Sequence, residues 1–262
     1  MMRPIQYTLA CFALLLPAVA VTRAKASDTD RGLEVARNVD KANSGFVSEV
    51  GTAELKLIDA HGATVSRVLS LRTLEQPDDG DRSIVTFLSP SDVAGTRLLT
   101  WAHDNREDDQ WLFLPAINRV KRISGRNKTG SFMGSEFSYE DLAAPGVEEF
   151  TYNFLREENF KGADTWVYER RSRDNDSGYS RQVLWVAKSL MQSVKIEFYD
   201  RRNELLKTAT FSGFHGYGKQ YRASSIEMSN EQTHKRSLLT WQSLKLGEKL
   251  GGSDFRPDAL GT

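Results

Sequence analysis

Alternation of apolar and polar residues with a period of two runs through most of this 262-residue chain and constrains its fold more than any other feature. Successive side chains of a β-strand point to opposite faces of the sheet, so this period predicts strands. Short turn-forming clusters separate the alternating runs. We predict about a dozen strands, at residues 46–58, 63–75, 83–88, 97–103, 110–114, 118–124, 150–158, 164–172, 180–188, 193–200, 205–212, 220–230 and 234–246.

Two segments depart from this alternation. The sequence of residues 27–43 predicts a helix, because Ser27, Asp28 or Thr29 can cap its start and its apolar residues recur on one face. Residues 125–149 are rich in glycine and enclose a short amphipathic stretch in which Ser138 and Asp141 can form a capping box. The predicted fold is therefore mainly β with helices (α+β), with one helix before the strands and a helical insertion among them.

Some strands carry apolar residues on both faces. Leu184 and Val186 point away from Val183 and Trp185, and the strands at 97–103 and 110–114 follow the same pattern. Such strands need cover on both sides, which an incomplete barrel filled or capped by helices provides, as does a sandwich. The predicted strand at 193–200 has a single apolar face, which Val194, Ile196 and Phe198 form.

The N-terminus is typical of an export signal. Arg3 supplies a positive charge, residues 8–21 are apolar, and the Ala-Lys-Ala at 24–26 is a cleavage site of the A-x-A kind. This apolar run of about 14 residues is shorter than the ~20 that span a bilayer. We expect a cleaved signal peptide at residues 1–26 and a periplasmic protein; a buried N-terminal helix and an uncleaved anchor are the alternatives.

The mature chain, residues 27–262, is expected to form a single domain without disulfides. The only cysteine of the full sequence, Cys11, lies in the predicted signal peptide, and the apolar run before it is too short for an acylation box. Removing residues 1–26 leaves 32 basic against 35 acidic side chains, a net charge of −3. A nucleic-acid binder would show a basic excess, so we expect no nucleic-acid partner.

No catalytic or metal-binding motif stands out. The four histidines show no H-x-x-x-H spacing, and the sequence contains no G-x-S-x-G. We therefore expect no enzyme activity, no cofactor, no metal and no catalytic residues. A hydrolase whose site is assembled from scattered residues is the remaining enzyme hypothesis.

Large apolar side chains are the candidates for a ligand site. All five tryptophans fall in predicted strands, where they either form core or line a cavity for an apolar ligand. Four apolar residues of the glycine-bounded insertion either pack on the core or form a lid over a pocket. The candidate cavity or lid residues are Leu99, Trp101, Trp111, Phe113, Phe132, Met133, Phe137, Tyr139, Trp166, Trp185, Ile196 and Phe198.

Five cations occur within ten residues, at the start of the glycine-rich insertion. They belong either to a solvated strand and loop or to a docking patch for anionic headgroups or an acidic partner, since clustered charge steers association. These candidate contact residues are Arg119, Lys121, Arg122, Arg126 and Lys128.

The central block of the sequence resembles a known family. Residues 109–125 read Asp-Gln-Trp-Leu-Phe-Leu-Pro-Ala-Ile-Asn-Arg-Val-Lys-Arg-Ile-Ser-Gly, and residues 130–142 continue with Gly-Ser-Phe-Met-Gly-Ser-Glu-Phe-Ser-Tyr-Glu-Asp-Leu. Together with Asp-Val-Ala-Gly-Thr at 92–96, they resemble the LolA-like outer-membrane lipoprotein-sorting proteins, and the resemblance extends over residues 30–256. It implies a half-open, strongly curved antiparallel barrel of the LolA/LolB kind, covered on its concave side by helices.

The resemblance also implies a function. We expect a periplasmic carrier whose hydrophobic cavity binds a lipid or lipoprotein acyl chain for transfer towards the outer membrane. Members of this larger branch are associated with transporters of the RND type, so an inner-membrane RND-type transporter and an outer-membrane acceptor are the expected partners of a monomer. The alternative is a non-enzymatic envelope sensor or accessory subunit of such a transporter, which uses the same fold to bind protein.

Overall fold

The computed structural model describes residues 27–77, 79–104, 106–144 and 146–261, so the predicted signal peptide at 1–26 lies outside the described residues. Within them, one α-helix, α1 (Asp28–Asn43), precedes thirteen strands. The first six strands are β1 (Ser48–Ile58), β2 (Thr64–Leu74), β3 (Arg82–Ser89), β4 (Arg97–Trp101), β5 (Asp109–Leu114) and β6 (Arg119–Ile123). The other seven are β7 (Phe150–Phe160), β8 (Ala163–Ser172), β9 (Tyr179–Ala187), β10 (Gln192–Asp200), β11 (Leu205–Tyr217), β12 (Gln220–Asn230) and β13 (Arg236–Leu246). Each predicted strand overlaps one of these.

All thirteen strands belong to one antiparallel sheet. Its order is β6-β5-β4-β3-β2-β1-β13-β12-β11-β10-β9-β8-β7, so neighbours in the chain are neighbours in the sheet except where β1 pairs with β13. The sheet is curved and does not close, because β6 and β7 are its two edges. The predicted antiparallel, half-open architecture is confirmed. No helix among the described residues is long and apolar enough to cross a membrane.

Helix α1 begins and packs as the sequence predicts. The Ser27 side chain accepts a hydrogen bond from the Asp30 backbone N–H at 3.1 Å, which satisfies a donor that the helix leaves free. Val35 is buried in an apolar cluster with residues of β7, β8 and β9. Gly32 allows a close approach to β7, because a Cβ there would lie 2.9 Å from the backbone nitrogen of Phe154. The helix is therefore fitted tightly against edge strand β7.

The insertion between β6 and β7, residues 124–149, is not the helix that its pattern predicts. Its described residues form three short 3₁₀ turns and an isolated bridge between Ser131 and Ser138. Met133 and Gly134 both have positive φ, 50° and 79°, which no right-handed helix accommodates. The prediction of a helical insertion is wrong for this reason. We call residues 124–149 the crossing segment.

The two faces of the sheet have different cover. On β4 and β5, Leu98 and Leu112 pack in the same cluster as Phe132 of the crossing segment, and we call this side the cavity face. Leu99 points to the opposite face, where it is buried with Phe255 from the segment that follows β13. These strands are therefore buried on both faces, as their apolar pattern predicts.

A β-bulge in β10 overturns one predicted face. Ser193 pairs with Val186 and Lys195 pairs with Trp185, so Val194 is an extra residue without a partner. Val194 consequently packs with Trp185 on the opposite face, away from Ile196. The prediction that Val194, Ile196 and Phe198 share one face is wrong, because the bulge shifts the alternation by one residue.

Candidate functional site

A cavity of about 630 Å³ lies between the cavity face and the crossing segment. Its apolar wall comes from β2 and from the consecutive strands β10 to β13. On each of the latter, lining residues occupy every second position, which places them on one face. The wall residues are Leu71, Ile196, Phe198, Ala209, Phe211, Ile226, Met228, Leu239 and Trp241.

Trp241 is placed by a glycine on the neighbouring strand. The β1–β13 register shifts between Thr52 and Ala53, next to Gly51. A Cβ on Gly51 would lie 2.3 Å from the backbone oxygen of Ser243 and 2.8 Å from the Trp241 ring. Glycine at this position therefore makes room for the indole in the cavity wall.

The crossing segment adds apolar residues from the other side. The Phe132 ring lies 5.4 Å from the Phe87 ring and 5.7 Å from the Tyr139 ring, measured between centroids. Phe132 and Phe137 are both buried, and Phe137 and Leu142 line the cavity. The segment thus packs on the sheet and forms part of the cavity lining.

Polar contacts tie the crossing segment to the ends of three strands. Arg67 at the start of β2 donates a hydrogen bond to the Met133 carbonyl. The Glu136 backbone N–H donates to the Ser237 hydroxyl at 2.9 Å, and Asn230 donates to the Glu136 carboxylate at 2.8 Å. The segment is therefore held across β2, β13 and β12.

A buried ion pair makes the fourth attachment. Lys207 of β11 is only 4% exposed, and its ammonium pairs with the Asp141 carboxylate. The same carboxylate accepts hydrogen bonds from the Tyr179 hydroxyl and the Ser138 backbone N–H, both at 2.7 Å. The Asp141 N–H donates back to the Ser138 hydroxyl at 3.2 Å, so the predicted capping box is confirmed. Burial, together with the Asp141 charge, raises the pKa of Tyr179 well above its usual value, which keeps its hydroxyl protonated as a donor.

One end of the cavity is charged. Most of its cations are already paired: Arg106 and Arg122 with Asp109, and Lys128 with Asp174. The charged lining residues are Arg106, Glu107, Asp108, Asp109, Arg122, Lys128, Glu140, Asp141, Glu149, Arg170 and Asp174. The cavity is therefore amphipathic, with an apolar wall and a polar end.

Burial raises the pKa of three carboxyls at the polar end, of which Glu140 accepts hydrogen bonds from the Ser177 hydroxyl and the Gly178 N–H. Burial raises the pKa of Asp108 to about 6, although its carboxylate accepts backbone hydrogen bonds from His103 at 3.0 Å and Ala144 at 3.1 Å. Burial also raises the pKa of Glu149 to about 7, although its carboxylate accepts a hydrogen bond of 2.9 Å from the Gly146 N–H, which lowers the pKa. Both groups therefore titrate near neutral pH. No group of three or more His, Cys, Asp or Glu in the described ranges is arranged to hold a metal ion.

Four of the predicted cavity residues lie on the opposite face of the sheet, outside this cavity. The indole nitrogen of Trp101 donates to the Phe255 carbonyl at 2.7 Å, and the Trp101 and Trp111 rings meet edge to face at 5.1 Å. Leu99 and Phe113 belong to the same cluster. The C-terminal residues cover all four.

The other predicted cavity residues are divided among three places. Phe137, Ile196 and Phe198 line the cavity. Phe132, Met133 and Tyr139 pack in the core cluster that the crossing segment forms with the sheet. Trp166 packs with the α1 cluster, and Trp185 lies on the opposite face, where its indole donates to Glu158. Whether any of them binds a ligand stays a prediction.

The five predicted contact cations are also divided. Arg122 and Lys128 line the polar end of the cavity in the ion pairs described above. Arg126 lies 3.6 Å from Asp176 with an 81% exposed side chain. Arg119 and Lys121 are exposed on edge strand β6. A docking role for these cations stays a prediction.

Sequence reasoning missed most of the cavity wall and most of its charged residues. The alternating pairs 209/211, 226/228 and 239/241 carry the signal for the wall, but alternation alone does not say which face is enclosed. Arg170 has no sequence signal at all, because its surroundings come from residues distant in the chain.

The comparisons with known proteins agree with this architecture. A family model described as an uncharacterized protein matches residues 79–262. A crystal structure named as an outer membrane lipoprotein-sorting protein domain from Vibrio parahaemolyticus is 41% identical with a TM-score of 0.87, covering 89% of this chain and 100% of that one. A DUF1329 family protein from Desulfovibrio piger is 27% identical with a TM-score of 0.85, covering 90% and 100% respectively. The chain belongs to the DUF1329 family of LolA-like proteins.

The present chain also shares its fold with a more distant structure. A LolA superfamily protein from Nitrosomonas europaea is 21% identical with a TM-score of 0.69, covering 87% of this chain and 98% of that one. The resemblance of the central sequence block to LolA-like outer-membrane lipoprotein-sorting proteins is thereby confirmed. No curated protein matches this sequence significantly.

Proposed function

We propose that this DUF1329 protein is a periplasmic carrier that holds a lipid or lipoprotein acyl chain in its cavity for transfer towards the outer membrane. The amphipathic cavity carries this proposal, because its lining combines an apolar wall of nine side chains with a group of charged residues. Ligand pockets commonly measure ~300–1,000 Å³, and this cavity of about 630 Å³ falls in that range.

The energetics of chain burial suit such a cavity. Each CH₂ group removed from water contributes ~0.8 kcal/mol, so an acyl chain of about a dozen CH₂ groups gains roughly 10 kcal/mol before losses. Phe137, Ile196 and Phe198 would contact the chain, together with Phe211, Ile226 and Trp241. Binding and release of a lipid break no covalent bond, so we propose no catalytic residue and no cofactor.

Helix α1 and the crossing segment would shield the bound chain from water. The α1 cluster includes Ile196, which also lines the cavity, and the crossing segment contributes Phe137 to the lining. We propose that together they cover the concave side of the curved sheet. The sequence resemblance implied that helices cover this side. We propose instead that one helix and a non-helical segment cover it.

The relatives support the direction of transfer and the location. The Vibrio parahaemolyticus relative is named for outer-membrane lipoprotein sorting, and it matches along its whole length. Residues 1–26 have the composition of an export signal. On these grounds we propose cleavage after Ala26 and a periplasmic location for a single-domain, monomeric mature chain.

The runner-up function is that of an envelope sensor or an accessory subunit of an RND-type transporter. One observation favours it: β6 is an edge strand with exposed cations, and Val120 within it is 42% exposed. An unpaired, basic strand edge is suited to pairing with an extended acidic segment of another protein. In this function, Arg119 and Lys121 would contact the partner.

Native mass spectrometry of the purified mature protein distinguishes these functions. The carrier proposal expects an adduct with the mass of an acyl lipid, which disappears after solvent extraction and refolding and returns after incubation with lipid vesicles. A protein that stays empty in all three preparations would overturn the carrier proposal. Recovery of an equimolar envelope protein by that empty form would favour the runner-up.

A further inference from the structure

One cation at the polar end of the cavity has no carboxylate partner among the residues that the structure describes. Arg170 lies on β8 and lines the cavity. Its Nε donates to the Gln182 side-chain oxygen at 2.6 Å, and its guanidinium lies 4.2 Å from the centroid of the Phe150 ring. Both neighbours are buried, so they hold the guanidinium in place. A guanidinium has five N–H donors, which leaves several of them for an anion.

Two carboxyls nearby have no cationic partner in the described ranges. Asp108 and Glu149 line the same end of the cavity and accept hydrogen bonds from backbone N–H groups, but neither forms an ion pair. Glu149 directly precedes Phe150, whose ring the Arg170 guanidinium covers. A cation without a carboxylate partner and acids without a cationic partner therefore line the same cavity.

We propose that this end of the cavity binds a zwitterionic headgroup, with a phosphate on Arg170 and a primary ammonium on Asp108 and Glu149. The inference rests on the proposed carrier function and specifies its cargo as an amino-phospholipid. A guanidinium matches the geometry of a phosphate by two parallel hydrogen bonds, and an ammonium offers three donors to carboxylate oxygens. A free fatty acid or a neutral glyceride would leave these acids without a counter-charge.

The surroundings of the two acids agree with this assignment. Burial raises the pKa of Glu149 to about 7 and that of Asp108 to about 6, because the charged forms lose contact with water. A bound ammonium would supply the opposite charge and favour the ionised carboxylates. The other cations of the lining already pair with carboxylates: Arg106 and Arg122 with Asp109, and Lys128 with Asp174.

The test measures binding of three lipids with an oleoyl or oleyl chain to lipid-free protein at pH 8. Each lipid is kept below its critical micelle concentration. These are lysophosphatidylethanolamine, lysophosphatidylglycerol, which lacks the ammonium, and oleyl alcohol, which lacks both charges. We expect the ethanolamine lipid to bind about tenfold more tightly than the glycerol lipid. Equal affinities would overturn the inference.

Three variants locate the effect. Glu149→Gln with Asp108→Asn should remove the preference for ethanolamine, and Glu149→Gln alone should lower it at least threefold if the double variant fails to fold. Arg170→Gln should weaken both phosphate lipids about tenfold and leave oleyl alcohol unchanged. Arg171→Gln is the matched control, because Arg171 pairs with Glu169 and does not line the cavity.

The outcomes separate this inference from the proposed function. A preference for ethanolamine that persists without both carboxyls would overturn the headgroup assignment, as would an Arg170→Gln variant with unchanged affinities. If oleyl alcohol binds and the two phosphate lipids bind equally, only the headgroup assignment fails. If none of the three lipids binds, the carrier function itself fails.

Discussion

Single carboxyl groups set the chemistry at the polar end of this cavity. Glu149 lies where the crossing segment joins β7, and burial raises its pKa from 4.5 to about 7, with further contributions from the charges of Asp108 and Glu107. A carboxyl that binds its proton more tightly in the folded than in the unfolded chain stabilises the fold at low pH. That stabilisation is complete below pH 4.5 and is lost as pH rises through 7.

Replacing this carboxyl should flatten the pH dependence of stability. We expect Glu149→Gln to match the parent protein at pH 4.5 and to exceed its free energy of unfolding at pH 8 by about 1 kcal/mol, a value reduced for solvent screening of a half-buried group. Urea unfolding at the two pH values measures the difference. The control is Glu148→Gln, since Glu148 is exposed and pairs with Arg37. A difference between parent and Glu149→Gln that is the same at both pH values would contradict the account.

The elements of the fold differ in how far local sequence determines them. The strands and α1 follow from periodicity and capping, which depend on residues close in the chain. The crossing segment does not, because its path depends on Arg67, Lys207, Asn230 and Ser237 on distant strands. The capping box between Ser138 and Asp141 was predictable as a local pattern, but the turn that it caps is held by tertiary contacts.

The buried ion pair should therefore hold the crossing segment in place. We expect Lys207→Met to lower the free energy of unfolding by about 3 kcal/mol, because it leaves the Asp141 carboxylate buried without its cation. Hydrogen exchange of the amides at 131–142 should quicken by more than that of β9 and β12. The control is Lys245→Met, which breaks an exposed pair with Glu248 and should cost less than about 1 kcal/mol. Equal losses in the two variants would show that the buried pair has no special role.

At the scale of the whole molecule, the chain builds an open sheet with different cover on its two faces. The mainly β fold class follows from the sequence, because alternation predicts strands and short turns favour antiparallel neighbours, but the pairing of β1 with β13 does not. The identity of the cavity face does not follow. A bulge at Val194 moves that side chain to the opposite face, and the C-terminal Phe255 buries the side of β4 and β5 that carries two tryptophans. Both effects depend on contacts between distant residues.

The central claim is that an acyl chain occupies the space in front of β10 to β13, and filling that space tests it most directly. Ala209 lines the cavity on β11, whereas the adjacent Thr208 points to the other face of the strand. Titration with a fluorescent fatty acid should give at least about tenfold weaker binding for Ala209→Phe than for the parent, and unchanged binding for Thr208→Phe, at equal thermal stability. Equal affinity of the parent and Ala209→Phe would contradict the account.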